Sequence, residues 1–472
     1  MPNSEEEKIR RMVKKKVLDP RGQDFSQTYA IETFGCQMNV HDSERMAGLL
    51  EQTGHVRIED TVQADVIILN TCSVRERAED KLFSRLGEIS AKRKQKPPLM
   101  VVTGCVAQQE GADIFKRANK VGVVVGTQAI RRLPELLNRA KTSGSNQIDV
   151  NPYEDVSFPL GLAVRADPVK AYVTIVEGCN DFCAFCVVPY TRGHERMRIS
   201  SEIVNEVQGA VSSGRREVHL LGQIVNHYQC PEDPDCDFAG LLEKLNEIRG
   251  LLRIRFASPH PRHVNSRMIS AMRDLPRVCG HLHLPLQSGS TRVLRAMRRR
   301  HTRKDYLELV DRILATIPTI SLSTDIIVGF PGETDEEFQE TLSLVHQVGY
   351  RSMFSFKYSE RPSTLASRRM PETVSESEKT RRIVELQSMQ RKIQIDLNKQ
   401  SIGTTVSVLA DNTSRRHDKE LSGRTGGNLV VNFPGDPSWV GRLVSVRIKK
   451  AGPYSVWGES VALEEAGQIN AN

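Results

Sequence analysis

A chain of 472 residues has room for roughly two to four domains, each able to bury its own core. Hydrophobic residues at 39% and charged residues at 26% exclude a disordered or fibrous chain, and no run approaches the roughly 18 apolar residues of a membrane span. A net charge of +8 is modest for 53.0 kDa, so where the charge lies matters more than its sum. The nine cysteines form no secreted-protein framework, which points to a reducing, cytoplasmic setting without a membrane partner.

Residues 1–27 mix Glu5-Glu-Glu7 with Arg10-Arg11 and Lys14-Lys-Lys16 and read as a solvated extension. The acidic triplet argues against a transit peptide. Over 28–150 short apolar runs alternate with helical segments, as in βαβ units with a parallel sheet. Three runs end in a cysteine: Tyr29 to Cys36, Ala64 to Cys72 and Leu99 to Cys105. A helix over Ser43–Gln52 follows the first, and Val121 to Val125 extends the sheet. The carboxyl ends of parallel strands share one edge, where ligands bind. Cys36, Cys72 and Cys105 are therefore expected to meet in space. The plain alternative is that free cysteines are common core residues.

Residues 151–168 are turn-rich, with Pro152, Pro159, Gly161 and Pro168, and read as a linker. Residues 169–396 carry a longer βα series, as in a full or partial barrel with its chemistry at the carboxyl ends of the strands. Expected strands start at Ala171, Glu217, Arg253, His281, Ser321 and Met353. Thr334-Asp-Glu-Glu337 is a capping box opening a helix that runs to Gly349. Three residues past the first apolar run stands Cys179-Asn-Asp-Phe-Cys183-Ala-Phe-Cys186. Three thiolates at this spacing suit a metal or an iron–sulfur cluster. A structural zinc site wants four ligands, and here a fourth is missing. From Arg292 to Lys304 seven basic residues fall in thirteen positions with no acidic partner. Among them Arg292, Arg295, Arg298, Arg299 and Arg300 are candidate RNA phosphate contacts, with a solvated helix face as the alternative. Residues 397–463 hold short strands and Gly-rich turns such as Gly423–Gly427, as in a small all-β barrel. Residues 464–472 are a tail.

Longer motifs carry a resemblance. They are Thr33-Phe-Gly-Cys-Gln-Met-Asn39, Asn70-Thr-Cys-Ser-Val-Arg-Glu76, Thr103-Gly-Cys-Val-Ala-Gln108 and Phe185-Cys-Val-Val-Pro-Tyr-Thr-Arg-Gly193. His283-Leu-Pro-Leu-Gln-Ser-Gly-Ser290 and Ile327-Val-Gly-Phe-Pro-Gly-Glu333 complete them. From Tyr29 to about Leu463 the chain resembles the radical SAM methylthiotransferase family. Within that family it is most similar to the members that act on isopentenyladenosine in tRNA. The resemblance implies an α/β fold in three parts: an amino-terminal parallel-sheet domain, a radical SAM partial (β/α) barrel and a carboxyl-terminal TRAM β-barrel. It implies that Cys179, Cys183 and Cys186 hold a 4Fe–4S cluster that binds S-adenosylmethionine (SAM) and cleaves it to a radical. Cys36, Cys72 and Cys105 would hold a second 4Fe–4S cluster for sulfur insertion, with a further SAM giving the methyl group. The implied substrate is the anticodon stem-loop of tRNA, methylthiolated at C2 of N6-isopentenyladenosine. The implied partners are an electron donor of flavodoxin or ferredoxin type and a sulfur donor system.

Gly222 and Gln223, with Gly329 and Gly332, stand in segments that resemble those lining SAM; tight strand-to-helix turns are the alternative. Arg192 and Glu195 are candidate substrate contacts or a structural ion pair. Phe182 and Phe185 are expected to shield the cluster. Cys230 and Cys236 read as surface cysteines with a labile disulfide or an extra metal site as the alternative, and Cys279 as buried and inert. Ser363 stands where relatives usually carry glycine. Two rival functions remain open. One is a sister methylthiotransferase acting on threonylcarbamoyladenosine or a ribosomal-protein aspartate. The other is an RNA-binding protein with structural clusters, against which three-ligand spacing argues.

Overall fold

The computed structural model describes residues 27–73, 76–93, 97–151, 163–414 and 420–464. The expected amino-terminal extension, the prolines and glycine of the linker at 152, 159 and 161, and the tail lie outside the described residues. Among the described residues no helix is long and apolar enough to cross a membrane. Two compact units divide at Val164/Arg165.

In the first unit six strands form one parallel sheet: β1 (Thr28–Phe34), β2 (Val56–Arg57), β3 (Val66–Thr71), β4 (Leu99–Gly104), β5 (Val121–Val125) and β6 (Gln147–Asp149). Their order is β2-β1-β3-β4-β5-β6. Strand alternation splits β3 between two cores, with Val66 and Ile68 on one face and Ile67 and Leu69 on the other. Met46, Leu50, Leu133 and Leu137 cover the first face, and Leu82, Leu86 and Ile89 the second. Burial on both faces is why these strands read as continuous apolar runs. The first helix differs from expectation: it spans Gln37–Gln52, so it begins directly after Cys36. The short strands β2 and β6 add to the four expected.

The second unit opens with β7 (Lys170–Thr174), β8 (Val176–Glu177), β9 (Arg196–Met197), β10 (Glu217–Leu221), β11 (Arg253–Phe256), β12 (His281–His283), β13 (Ser321–Val328) and β14 (Ser352–Lys357). β11-β10-β7 and β12-β13-β14 are parallel sheets, joined by a parallel bridge from Ile254 to Val278. β7 and β14 remain edges, so the barrel is partial. β8 and β9 pair antiparallel on either side of the Cys179 loop. The capping box at Thr334 forms: its hydroxyl accepts from Glu337 N, and the Glu337 carboxylate accepts from Thr334 N at 2.9 Å. Ser363 takes the left-handed conformation itself, at φ 69°.

Beyond helix Glu376–Gln400 lie β15 (Thr405–Thr413), β16 (Glu420–Thr425), β17 (Val430–Pro434), β18 (Leu443–Ala451) and β19 (Val456–Leu463). They close a barrel in the order β15-β16-β17-β19-β18. The turn expected over Gly423–Gly427 is a strand as far as Thr425, because β15 and β17 pair with it on both sides.

This small barrel docks on the amino ends of the large barrel's strands. Arg253 at the start of β11 donates to Ser407 O at 3.1 Å and to Arg424 O. Arg255 donates to Thr425 O at 2.7 Å and Gly426 O at 3.1 Å, and its Nε to Glu217 at 2.9 Å. Lys170 pairs with Asp411 at 3.2 Å. Burial alone would raise the Glu217 carboxyl, but Arg255, His219 and Arg253 together outweigh it and hold it well below the usual range. Arg255→Ala removes the guanidinium from buried Glu217, which keeps only His219 Nε2 at 2.6 Å, and leaves two carbonyls unmet. It is expected to cost roughly 3–5 kcal/mol, read by calorimetry and by faster proteolytic release of the small barrel; an unchanged melt would refute this role.

Candidate cluster-binding sites

The register of the first sheet brings three cysteines to one edge. Phe34 pairs with Thr71, and Thr71 with Gly104. Cys36, Cys72 and Cys105 follow these positions by one or two residues, and Cys72 and Cys105 are buried. Close packing is allowed by glycine. A Cβ at Gly35 would lie 2.7 Å from Cys72 Cβ, and one at Gly104 would lie 2.3 Å from Asn70 Oδ1, with φ at +89°. Two fully buried asparagines tie the loops together. Asn39 Nδ2 donates to Asn70 Oδ1 at 3.0 Å, and Asn70 Nδ2 to Asn39 O at 2.8 Å and Ser43 Oγ at 2.9 Å. Cys36 Sγ lies 3.2 Å from Asn39 Oδ1. The Cys105 and Cys36 thiols, then burial, hold the Cys72 thiol well above the ordinary thiol range. Three thiolates this close need a compensating cation, which is the chemistry of a metal cluster.

The second set lies on the loop after β8. Gly178 precedes it at φ +79°, where a Cβ would lie 2.1 Å from His194 O. Cys179 N donates to Gly193 O at 3.1 Å, Ala184 N to Met297 O at 3.0 Å and Ala366 N to Ala184 O at 2.8 Å. Burial and, to a smaller extent, Cys183 push the Cys179 and Cys186 thiols up to about 12. Arg299 lies against this loop. One guanidinium nitrogen is 3.7 Å from Cys183 Sγ and the other donates to Pro285 O at 3.0 Å. Burial and then Arg299 push His301 down to about 4 and His260 further, so both rings are neutral near pH 7. His260 Nδ1 accepts from Arg262 N at 3.1 Å, which leaves the hydrogen on Nε2. Arg299 Nε, His260 Nε2 and His301 Nε2 are buried without a hydrogen-bond partner among the described residues. Such atoms suit a polar ligand at the cluster.

The other expected site residues scatter more. Gly222 and Gln223 follow β10, at a carboxyl end. Gly329 and Gly332 follow β13, but Gly329 N donates to Glu333 at 2.6 Å and Gly332 N to Thr373 at 2.7 Å. Arg192 lies 4.0 Å from Glu177, and Glu195 pairs with His227 at 2.8 Å. Arg299 departs from the expected RNA surface because it is 6% exposed and turned toward Cys183. Arg292 is exposed but forks onto Glu337. Arg295, Arg298 and Arg300 are exposed. Phe182 is 37% exposed and lines a cavity with Cys183, whereas Phe185 packs against a core that holds Phe330 and Tyr358. Cys230 and Cys236, expected at the surface, are buried in the barrel core, and Cys279 is buried as expected. Asn39, Asn70 and the inward turn of Arg299 carried no sequence signal outside the motifs.

Residues 28–126 match a family described as Uncharacterized protein family UPF0004, residues 173–345 the Radical SAM superfamily and residues 399–461 the TRAM domain. A Geobacter metallireducens protein named tRNA-2-methylthio-N(6)-dimethylallyladenosine synthase is 45% identical over 432 residues, covering 91% of this chain and 97% of the relative. A Halorhodospira halophila protein of the same name is 44% identical over 447 residues, 94% of each chain. The chain belongs to the tRNA-2-methylthio-N(6)-dimethylallyladenosine synthase family. The fold is also similar to that of the radical SAM methyltransferase TsrM from Kitasatospora setae, with TM-score 0.55 and 13% identity over 84% of this chain and 81% of that one. The radical SAM domain brings with it SAM and a 4Fe–4S cluster, which three cysteines on one loop fit.

Gly104→Ala forces a Cβ against Asn70 in a left-handed backbone. It is expected to destabilise the first unit by roughly 2–4 kcal/mol. Calorimetry of the isolated transition reads this directly, and an unshifted melt would show that the edge is looser than the geometry requires.

Proposed function

We propose that this enzyme methylthiolates C2 of N6-isopentenyladenosine beside the anticodon of tRNA, with SAM as radical source and methyl donor. Residues 28–150 are the sulfur-handling domain, 169–396 the radical domain and 397–463 the TRAM domain. The observation that carries the reading is the presence of two separate three-cysteine sets, one just past the carboxyl ends of the parallel strands β1, β3 and β4 and one on the loop after β8. Radical formation from SAM alone needs one set; sulfur insertion gives the second a task.

Cys179, Cys183 and Cys186 are assigned to the SAM-binding 4Fe–4S cluster, and Cys36, Cys72 and Cys105 to a second 4Fe–4S cluster. When bound, these groups supply the radical chemistry and the sulfur. The chain's own residues position and exclude. Arg299 offers N–H groups to the Cys183 sulfur and toward a polar ligand, while neutral His260 and His301 offer one donor and one acceptor beside it. Phe185 and Phe330 keep water from the inner side of the loop. Gly222 and Gln223, with Gly329 and Gly332, flank the space for SAM at the strand ends. Exposed Arg295 and Arg300 are phosphate contacts for the tRNA stem-loop. An external one-electron donor of flavodoxin or ferredoxin type and a sulfur donor system complete the cycle. The names of the relatives favour isopentenyladenosine over the sister substrates.

Anaerobically reconstituted protein is expected to bind about eight irons, as two four-iron clusters. The variant with Cys36, Cys72 and Cys105 changed to Ala should bind about four. An unchanged iron content between the two would sink the second cluster. The substrate is tested by mass spectrometry of hydrolysed tRNA after incubation with the enzyme, SAM and dithionite. The product expected is 2-methylthio-N6-isopentenyladenosine; its absence, with threonylcarbamoyladenosine modified instead, would move the enzyme to the sister class.

A further inference from the structure

The open edge of the large barrel carries an aromatic wall that neither cysteine set uses. Side chains alternate along β14. Met353 packs on the main barrel core, Ser355 Oγ accepts from Gln387 Nε2 at 3.0 Å, and Lys357 pairs with Glu376. These three residues face outward, and helix Glu376–Gln400 covers them. Phe354 and Phe356 face inward, where the Phe354 ring meets the His283 ring of β12 edge to face at 6.2 Å. Even so, Phe354 is 57% exposed and Phe356 39%. No other phenylalanine among the described residues is as exposed as Phe354.

Strand register fixes what stands beside each ring. Phe354 pairs with Asp325, and Phe356 with Ile327. Asp325 Oδ1 lies 3.3 Å from His283 Nε2, and His283 Nδ1 lies 2.9 Å from Ser323 Oγ. The Asp325 side chain is 28% exposed, so its carboxylate can accept a further hydrogen bond. Ile327 packs, together with Phe185, against the apolar cluster that holds Ala184 and Phe330. The wall therefore runs from a carboxylate and a phenyl ring at mid-strand to an apolar end beside the Cys179–Cys186 loop.

Charge and shape select the occupant. Apart from histidines, the only basic residue of β12, β13 and β14 is Lys357, which is on the outer face and paired. Phenyl rings beside a carboxylate make a poor seat for an anionic group. Threonylcarbamoyladenosine and an aspartate side chain both bring a carboxylate. A prenylated adenine matches every part of the wall: the ring has a face to stack, the branched hydrocarbon tail takes apolar contact, and N6 keeps a hydrogen for a carboxylate.

We propose that Phe354 and Phe356 are specificity-determining residues, and that their wall receives the N6-prenylated adenine of the tRNA. The inference rests on the methylthiotransferase reading given above and names the side chains that select its substrate. Asp325 accepts from N6–H. Phe354, beside Asp325, packs on the isopentenyl tail, and Phe356, nearer the radical loop, stacks on the adenine ring.

The test uses the reconstituted holoenzyme without reductant and three anticodon stem-loops that differ only in the modified base: isopentenyladenosine, plain adenosine and threonylcarbamoyladenosine. Dissociation constants are measured anaerobically by fluorescence anisotropy. Wild type should bind the isopentenyl stem-loop at least about tenfold more tightly than the plain one, as expected for burial of a small hydrocarbon group. In F354A that preference should vanish, whereas F354L, which keeps apolar bulk, should retain most of it. F356A should weaken the isopentenyl and plain stem-loops alike, by about tenfold, as loss of a stacking partner does. Iron content and melting temperature at wild-type values show that each variant is folded and loaded. A wild-type preference for the isopentenyl stem-loop that survives intact in F354A overturns the proposal alone. Weaker SAM binding by F354A, read by equilibrium dialysis, with that preference kept, overturns it too and gives the wall to SAM. A wild-type preference for the threonylcarbamoyl stem-loop overturns the functional reading and the proposal together.

Discussion

Parallel strand pairing is the constraint that brings Cys36, Cys72 and Cys105 together. In a parallel sheet every strand ends at the same edge, so residues distant in sequence become neighbours when their strands pair in register. Phe34, Thr71 and Gly104 lie side by side by hydrogen bonding alone. The cysteines then need only follow each strand by one or two residues. Everything else at that edge accommodates the crowding: Gly35 and Gly104 remove side chains, and Asn39 and Asn70 satisfy each other in the space that remains. A slip of one residue in this ladder would turn the buried Val66, Ile67, Ile68 and Leu69 of β3 to the wrong faces. The core that stabilises the sheet and the register that gathers the cysteines are therefore the same feature.

The two sets are assembled by different means. Cys179, Cys183 and Cys186 belong to one loop, and the fold only has to hold its shape, through Gly178 at one end and backbone bonds to Met297 and Ala366 along it. Cys36, Cys72 and Cys105 have no local reason to meet. The loop site is electrostatically dressed by Arg299, which lies against Cys183; burial first, and Arg299 second, keep His260 and His301 neutral. At the sheet edge the Cys105 and Cys36 thiols, and then burial, raise the Cys72 thiol instead.

The two ends of the large barrel divide their work. The Cys179 loop and the turns at Gly222 and Gly329 lie past the carboxyl ends of the strands. The amino ends carry Lys170, Glu217, Arg253 and Arg255, all engaged in holding the TRAM barrel. This is the usual separation of chemistry from stability in βα barrels. TRAM carbonyls accepting from buried arginines make a directional joint, so the small barrel is held in one orientation on the large one.

Much of this was legible in the chain itself. The strand runs were visible because strands buried on both faces are continuously apolar, and β5 and β13 fall at their expected bounds. The convergence of Cys36, Cys72 and Cys105 followed from the rule that parallel strands share an edge. The capping box at Thr334 was local chemistry and formed as read. What only the tertiary structure decided was the direction of each long side chain. Seven basic residues between Arg292 and Lys304 look alike in sequence, yet Arg299 turns inward to a cysteine, Arg292 is spent on Glu337, and Arg298 opens onto a cavity. Cys230 and Cys236, in a Pro- and Asp-rich loop that reads as surface, are buried in the barrel's core cluster. Charge and periodicity are properties of the sequence, but whether a flexible side chain meets water, a carboxylate or a sulfur depends on what the rest of the chain places beside it.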